Sequence, residues 1–325
     1  MKNIIVFFVS LIALIQPLPA FAWSECGHAI ITLLAYDMLG PEEKGKLVEI
    51  LKHHPQFADD FTPPKGLPNE EENLRWQIGR IGYWPDVARR QPKYHRSTWH
   101  YELGPSLVIG DVSKQIVPER PGPLPEGATL ETQELYIAQA TELCKQVMAN
   151  ASSTMDDKAI AMCWIAHLVA DAHQPCHAGS LYMEGVFTEQ DGDRGANRIP
   201  TRQKKNMHAL WDQLLGNNYD LADVRRRMFE IRSDELAMRM ADDTASRENG
   251  MDPLQWLEES REHSNLSVYT LEVLDPLERV RRGLVDQPVT IDLTEDYLRS
   301  AGQVARSRAA QASVRLSRAL SDALR

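Results

Sequence analysis

Between Ala166 and His177 the chain reads Ala-His-Leu-Val-Ala-Asp-Ala-His-Gln-Pro-Cys-His, placing three histidines and one aspartate in an otherwise apolar stretch. On a helix His167 and Asp171, four residues apart, project from one face one turn apart. His208 and Asp212, in Asn206-Met-His-Ala-Leu-Trp-Asp212, repeat that spacing. Imidazole nitrogen and carboxylate oxygen are donors that suit zinc. A lone helical histidine is more often a satisfied core residue. Two such pairs in one chain, with His177 beside them, favour a metal site over core histidines.

Three further places could join the pairs, each with a bland reading beside it. Asp86 and Arg89, three apart in Gly82-Tyr-Trp-Pro-Asp-Val-Ala-Arg89, form an ordinary helical ion pair on the bland reading. On the functional one Asp86 holds a metal and Arg89 turns its planar guanidinium toward a phosphate. His100 lies in the aromatic segment Ser97-Thr-Trp-His-Tyr101, where an alternating strand can bury a histidine without any metal. Trp23-Ser-Glu-Cys-Gly-His28 would stand at a new N-terminus, where a free α-amine of pKa near 8 gives up its proton readily to a metal. Read alone, an aromatic residue near a cleavage site is usually core. His53 and His54 end a helix and read as structural, as do His95 and His263 in their charged surroundings.

The elements that must position these residues are helical. Apolar periodicity and stop signals predict helices over Gly27–Leu39, Glu42–His53, Asn73–Ala88, Leu130–Asn150, His208–Leu215, Asp234–Ser246, Leu254–Glu272 and Thr294–Leu324. Ser153 to Asp157 is a cap for the helix carrying the first cluster. Pro55–Pro68, Leu103–Ala128 and Gly179–Pro200 read as loops, and Trp99–Leu103 and Val289–Leu293 are the best strands. The expected class is all-α, a mainly helical single domain.

The two ends and the composition bound the setting. Met1-Lys2-Asn3, the apolar run Ile4–Ile15 and Ala20-Phe-Ala22 form a signal-peptide pattern with cleavage after Ala22. The predicted organisation is therefore a signal peptide over 1–22 and one domain over 23–325, secreted or periplasmic, with no membrane anchor after cleavage. A formal net charge of −10 argues against non-specific duplex binding through a basic face. It leaves a polyanionic substrate open, because bound divalent cations can dominate the local field. Cys26, Cys144, Cys163 and Cys176 lack the CxxC spacing of a structural zinc site, and in an oxidising compartment they allow two disulfides of undecided pairing.

Together the pieces resemble a family: the secreted zinc-dependent single-strand nucleases, the nuclease I type of fungi and plants, with zinc-dependent phospholipase C a more distant relative. The matching residues are Trp23, Gly27-His28, Trp84-x-Asp86-x-x-Arg89, His100-Tyr101, His167-x-x-x-Asp171-x-His173-Gln-Pro-x-His177, Gly195-x-Asn197 and His208-x-x-Trp211-Asp212. The resemblance implies three zinc ions in a cleft. Asp86, His100, His167 and Asp171 would hold one. Trp23 (amine and carbonyl), His28 and the bridging Asp171 would hold a second, and His177, His208 and Asp212 the third. His173 is implied to be a packing or supporting residue. A water shared by two zincs would be the nucleophile, oriented by Asp86, and the third zinc would stabilise the leaving 3′ oxygen. Arg89, where lysine is frequent, would neutralise phosphate charge, and Asn197 would hold the scissile phosphate or nearby sugar.

The chain departs from the pattern in three places. Ala170 and Ala196 stand where glycines are usual. Leu103 occupies the position of an aspartate that reads a base, with Glu102 one step away. The loop over 178–194 resembles the bacterial branch. The implied activity is endonucleolytic hydrolysis of single-stranded DNA and RNA to 5′-phosphorylated products, with 3′-nucleotidase activity alongside, by a monomer. A phospholipase C-like phosphodiesterase and a non-catalytic zinc-binding protein are the alternatives.

Overall fold

In the computed structural model of the chain, residues 23–111, 119–286 and 289–325 are described; the expected signal segment, 1–22, lies outside them. In chain order the elements are α1 (Glu25–Met38), α2 (Pro41–Lys52), α3 (Phe57–Asp60), α4 (Glu70–Ala88), β1 (Gly104–Ile109), α5 (Ile137–Ala149), α6 (Met155–Ala172) and α7 (Pro175–Ala178). They continue with β2 (Gly179–Met183), α8 (Met207–Asp212), α9 (Leu221–Ser233), α10 (Glu235–Ala245), α11 (Pro253–His263), α12 (Leu271–Arg281) and α13 (Glu295–Leu324). Helix dominates, as the sequence pattern predicts. The helix starts follow local chemistry: Ser24, Asn69, Thr154, Asn206, Asp220, Asp234 and Thr294 each accept a first-turn backbone N–H through the side chain.

Several boundaries differ from the sequence reading. Trp99–Leu103 is not a strand, because Ser97–His100 winds into a 3-10 turn. Ile291 in the second expected strand makes a single bridge to Thr201. The strands lie instead in the two segments read as loops, where β1 and β2 pair in parallel with Gly104 opposite Gly179. A Cβ at Gly179 would fall 1.7 Å from Ser106 Oγ, so the close crossing requires glycine there. Leu254–Glu272 is not one helix; a π-helical turn over Ser264–Val268 separates α11 from α12. The helix expected from Leu130 starts only at Ile137. α9 has no counterpart in the sequence pattern, because its polar exposed face dilutes the apolar period.

Two packing features place the site. Gly79 and Gly82 let α4 lie against α1: a Cβ at Gly82 would come within 2.2 Å of Thr32 Oγ1 and 3.2 Å of the His28 carbonyl oxygen. Buried tryptophans back the site, with the ring centre of Trp164 on α6 4.7 Å from that of Trp99. Each buried indole contributes roughly 4–6 kcal/mol of transfer free energy at ~25 cal/mol per Å². Their N–H groups are satisfied as well: Trp23 donates to the Ala170 carbonyl, Trp99 to that of Thr132 and Trp256 to that of Gly250.

All four cysteines are buried free thiols, on α1 (Cys26), α5 (Cys144), α6 (Cys163) and α7 (Cys176), so the expected disulfides do not form. They pack as small apolar residues, and burial pushes the Cys26 thiol up to about 12.

Candidate metal centre

Helix α6 supplies the middle of the site. His167 and Asp171, fully buried one turn apart, face the same way, with His167 Nε2 3.0 Å from Asp171 Oδ2. The His167 Nδ1–H donates to the Gly82 carbonyl at 2.8 Å, which turns the Nε2 lone pair inward. Helix α1 brings His28, whose ring stacks on His167 with centroids 4.2 Å apart and whose Nε2 lies 3.4 Å from Asp171 Oδ1. The 3-10 turn brings His100 Nδ1 to 2.7 Å from His167 Nε2, 3.5 Å from Asp171 Oδ2 and 3.8 Å from Asp86 Oδ1. Asp86 comes from the last turn of α4, where Pro85 removes the helical bond to the Ile81 carbonyl. Asp171 thus turns one oxygen toward His28 and the other toward His167 and His100.

A second wall carries the remaining pair. His177 on α7 donates Nδ1–H to the His100 carbonyl at 2.5 Å, and His208 on α8 donates Nδ1–H to the Gly195 carbonyl at 2.6 Å. Both point Nε2 at Asp212, 3.8 Å from Oδ1 and 3.6 Å from Oδ2 respectively. Gln174 fixes that carboxylate: its amide donates to Asp212 Oδ1 at 2.6 Å and its oxygen accepts the Cys176 N–H. Three groups of donor atoms result, each within 4.8 Å: His28, Asp86 and His167; His100, His167 and Asp171; His177, His208 and Asp212. The first two interpenetrate, so His28 sits nearer Asp86 and His167 than a simple division into two ligand sets implies.

The electrostatics are those of a site that needs a cation. Both nitrogens of His28, both oxygens of Asp171, His100 Nε2 and His177 Nε2 are buried without a hydrogen-bond partner, while Asp86 faces Arg89 at ion-pair distance. The Asp171 oxygens lie at ion-pair distance from imidazole nitrogens, but no donor is aligned on them. Unpaired buried polar groups of this kind cost about 1–3 kcal/mol each, and clustering them has a structural cost that only a ligand relieves. Burial holds His28 well below the usual histidine range, and burial with the nearby Arg89 charge takes His100 down to about 3. Burial opposes the charge on Asp171 too, but the facing His167 and His177 imidazoles hold its carboxyl well below the usual range. His177 is pushed the other way, to about 9, because Asp171 and Asp212 outweigh its burial.

Trp23 is buried against this wall. Its indole reaches the Ala170 carbonyl, and the next residue, Ser24, donates its backbone N–H to the Asp212 carbonyl at 2.9 Å. Arg89 caps α4 with Nε 2.7 Å from Asp86 Oδ1, the ion pair that its spacing alone predicts. Asn197 is held in its own loop, its amide donating to the Arg194 carbonyl. That loop is strained: Arg194 (φ 58°) and Ala196 (φ 66°) are left-handed, at about 1–2 kcal/mol each. Ala196 therefore bears a cost that glycine at that position would avoid. Glu102 is turned away to Arg261, which also binds the Glu102 and Ala178 carbonyls, while Leu103 packs on Gly195.

His173 stands apart from all three groups. Its Nδ1–H donates to the Val169 carbonyl and its Nε2 accepts from Arg315, which makes a two-pronged ion pair with Glu259. Sequence reasoning missed Gln174, Asp193 and the Gly82 and Gly195 carbonyls. The first lay inside the motif itself; a carbonyl's partner leaves no trace in residue type.

The family model for the S1/P1 nucleases matches residues 23–325. The chain belongs to the S1/P1 nuclease family. The match starts at the residue where the expected mature chain begins and spans both walls of the centre, so a phosphodiester-cleaving hydrolase acting on nucleic acid is the activity that membership carries. A comparison with curated proteins gives no match.

Proposed function

We propose that this S1/P1 nuclease is a secreted, monomeric, zinc-dependent endonuclease that cleaves single-stranded DNA and RNA to 5′-phosphorylated products and also acts as a 3′-nucleotidase. One observation carries the reading: His167, His177 and His208 each give Nδ1–H to a backbone carbonyl and aim Nε2 at a buried carboxylate. Metal-ligating histidines are held in this way, and the unpartnered carboxylate oxygens supply the matching hard donors. Asp86, His100, His167 and Asp171 would hold one zinc; Trp23, His28 and Asp171 a second; His177, His208 and Asp212 a third. When bound, zinc polarises phosphate oxygens and brings the pKa of water to near 7.

The chain's own groups do the rest. Asp86, at the mouth of α4, accepts a hydrogen bond from the attacking water and orients it. Arg89, held against Asp86, would turn its guanidinium toward a phosphate oxygen. Asn197 offers its second amide hydrogen toward the phosphate or sugar. No described helix is long and apolar enough to cross a membrane.

The test is digestion of single-stranded DNA, RNA and phosphatidylcholine by the purified mature chain, with and without chelator. Chelator-sensitive release of 5′-phosphorylated oligonucleotides is expected. Hydrolysis of the lipid alone, or zinc bound with no hydrolysis of any substrate, would overturn the proposal.

A further inference from the structure

The loop over 184–206 carries both Asn197 and the carbonyl that orients His208, yet it is the most strained described segment. Gly192, Arg194, Gly195 and Ala196 all have φ between 57° and 66°. Such a run persists only where the surroundings over-determine it. What pins it is Asp193, a fully buried carboxylate that is not among the residues grouped at the centre. Its Oδ1 accepts the Leu181 N–H of β2 at 3.0 Å, and its Oδ2 accepts the Tyr269 hydroxyl at 2.8 Å. The Asp193 and Leu181 backbones are bonded as well, and the Ala196 N–H closes back on Asp193.

The geometry leaves no slack. A Cβ at Gly192 would meet the Leu181 carbonyl oxygen at 2.7 Å, and one at Gly195 the Cys176 carbonyl oxygen at 2.0 Å. Gly195, held there, presents its carbonyl 2.6 Å from His208 Nδ1, while the Ala196 carbonyl accepts the His208 backbone N–H. The ring is thereby locked as the Nδ1–H tautomer with Nε2 on the Asp212 side. Tyr269, just past the π-helical turn, is itself buried and shares a core cluster with Leu181 and Ala196.

We propose that Asp193 and Tyr269 are positioning residues for the third metal: a buried clamp that sets the tautomer and aim of His208 without touching metal or substrate. The inference rests on reading His208 as a zinc ligand. Loss of supporting hydrogen bonds to metal-binding histidines costs roughly 10- to 100-fold in affinity.

Tyr269→Phe deletes one hydroxyl, and Asp193→Asn keeps one oxygen for Leu181 and offers an N–H to the Tyr269 oxygen. Zinc content during titration with a competing chelator, the ring-nitrogen NMR shifts of His208 and the melting temperature are measured together. In Tyr269→Phe, one zinc of three should leave at roughly tenfold lower chelator concentration, with the His208 shifts moving toward a mixed tautomer. Asp193→Asn should lie between that variant and the wild type. A fall in melting temperature with all three zincs and the His208 shifts unchanged would overturn the clamp and leave the zinc reading standing. A wild-type chain that binds no zinc at His208 would overturn both.

Discussion

The two walls of the centre use the same donors and are built in opposite ways. His28, Asp86, His167 and Asp171 stand on α1, α4 and α6, long helices packed through Gly79 and Gly82 and backed by Trp99 and Trp164. His177, His208 and Asp212 stand on helices of one or two turns, aligned by loop carbonyls and by Gln174. In the first wall, packing of whole helices brings the donors together, and the Gly82 carbonyl turns the His167 ring. In the second, individual hydrogen bonds set each donor. Loss of the donor shared by two metals should therefore be the most damaging change in the first wall, and loss of one hydrogen bond graded in the second.

The largest effect should follow Asp171→Ala. Losing the carboxylate that faces both His28 and His167 should remove two zincs together and lower activity roughly 10³-fold or more, with the third zinc still bound. Metal analysis showing only one zinc lost would mean that the carboxylate is not shared. Next comes the N-terminus. A chain with extra residues ahead of Trp23 loses the free amine and should lose one zinc and roughly 10²-fold in activity. Equal activity in the extended chain would remove Trp23 from the ligand set.

Gln174→Ala probes the second wall alone. Freed from its amide donor, Asp212 should hold zinc roughly 10-fold more weakly, with the first wall unchanged in a chelator titration. The smallest effect near neutral pH concerns an imidazole in neither wall. His54 is buried against Trp84, and burial lowers its pKa to about 3. It stays neutral in the fold, whereas the unfolded chain takes up a proton below about pH 6.5. Stability should therefore fall as pH drops from about 6.5 toward 3, by roughly 1 kcal/mol per pH unit from this residue. His54→Leu should flatten that limb in denaturant titrations at several pH values; an unchanged slope would refute a neutral buried His54.

The same contrast governs what the sequence made legible. The helix-borne pair His167–Asp171 shows directly in an i, i+4 spacing, because a helix maps spacing onto a face. The α6 cap at Thr154 was equally local. The parallel pairing of β1 with β2 was hidden, since both strands are short, open on glycine and have partners far apart in the chain. Asp193 lies in the segment read as loop, Gly179–Pro200, with no spacing that marks it; only the fold reveals that Leu181 and Tyr269 close over it. The cysteines misled because the compartment suggested pairing while the fold keeps all four as buried free thiols.

The central claim is three metals on two walls, and diffraction at the zinc absorption edge from crystals of the mature chain tests it most directly. Three anomalous peaks are predicted: two flanking the Asp171 carboxylate and one among His177, His208 and Asp212. A single peak, or none between His28 and Asp171 in an active enzyme, would contradict the account.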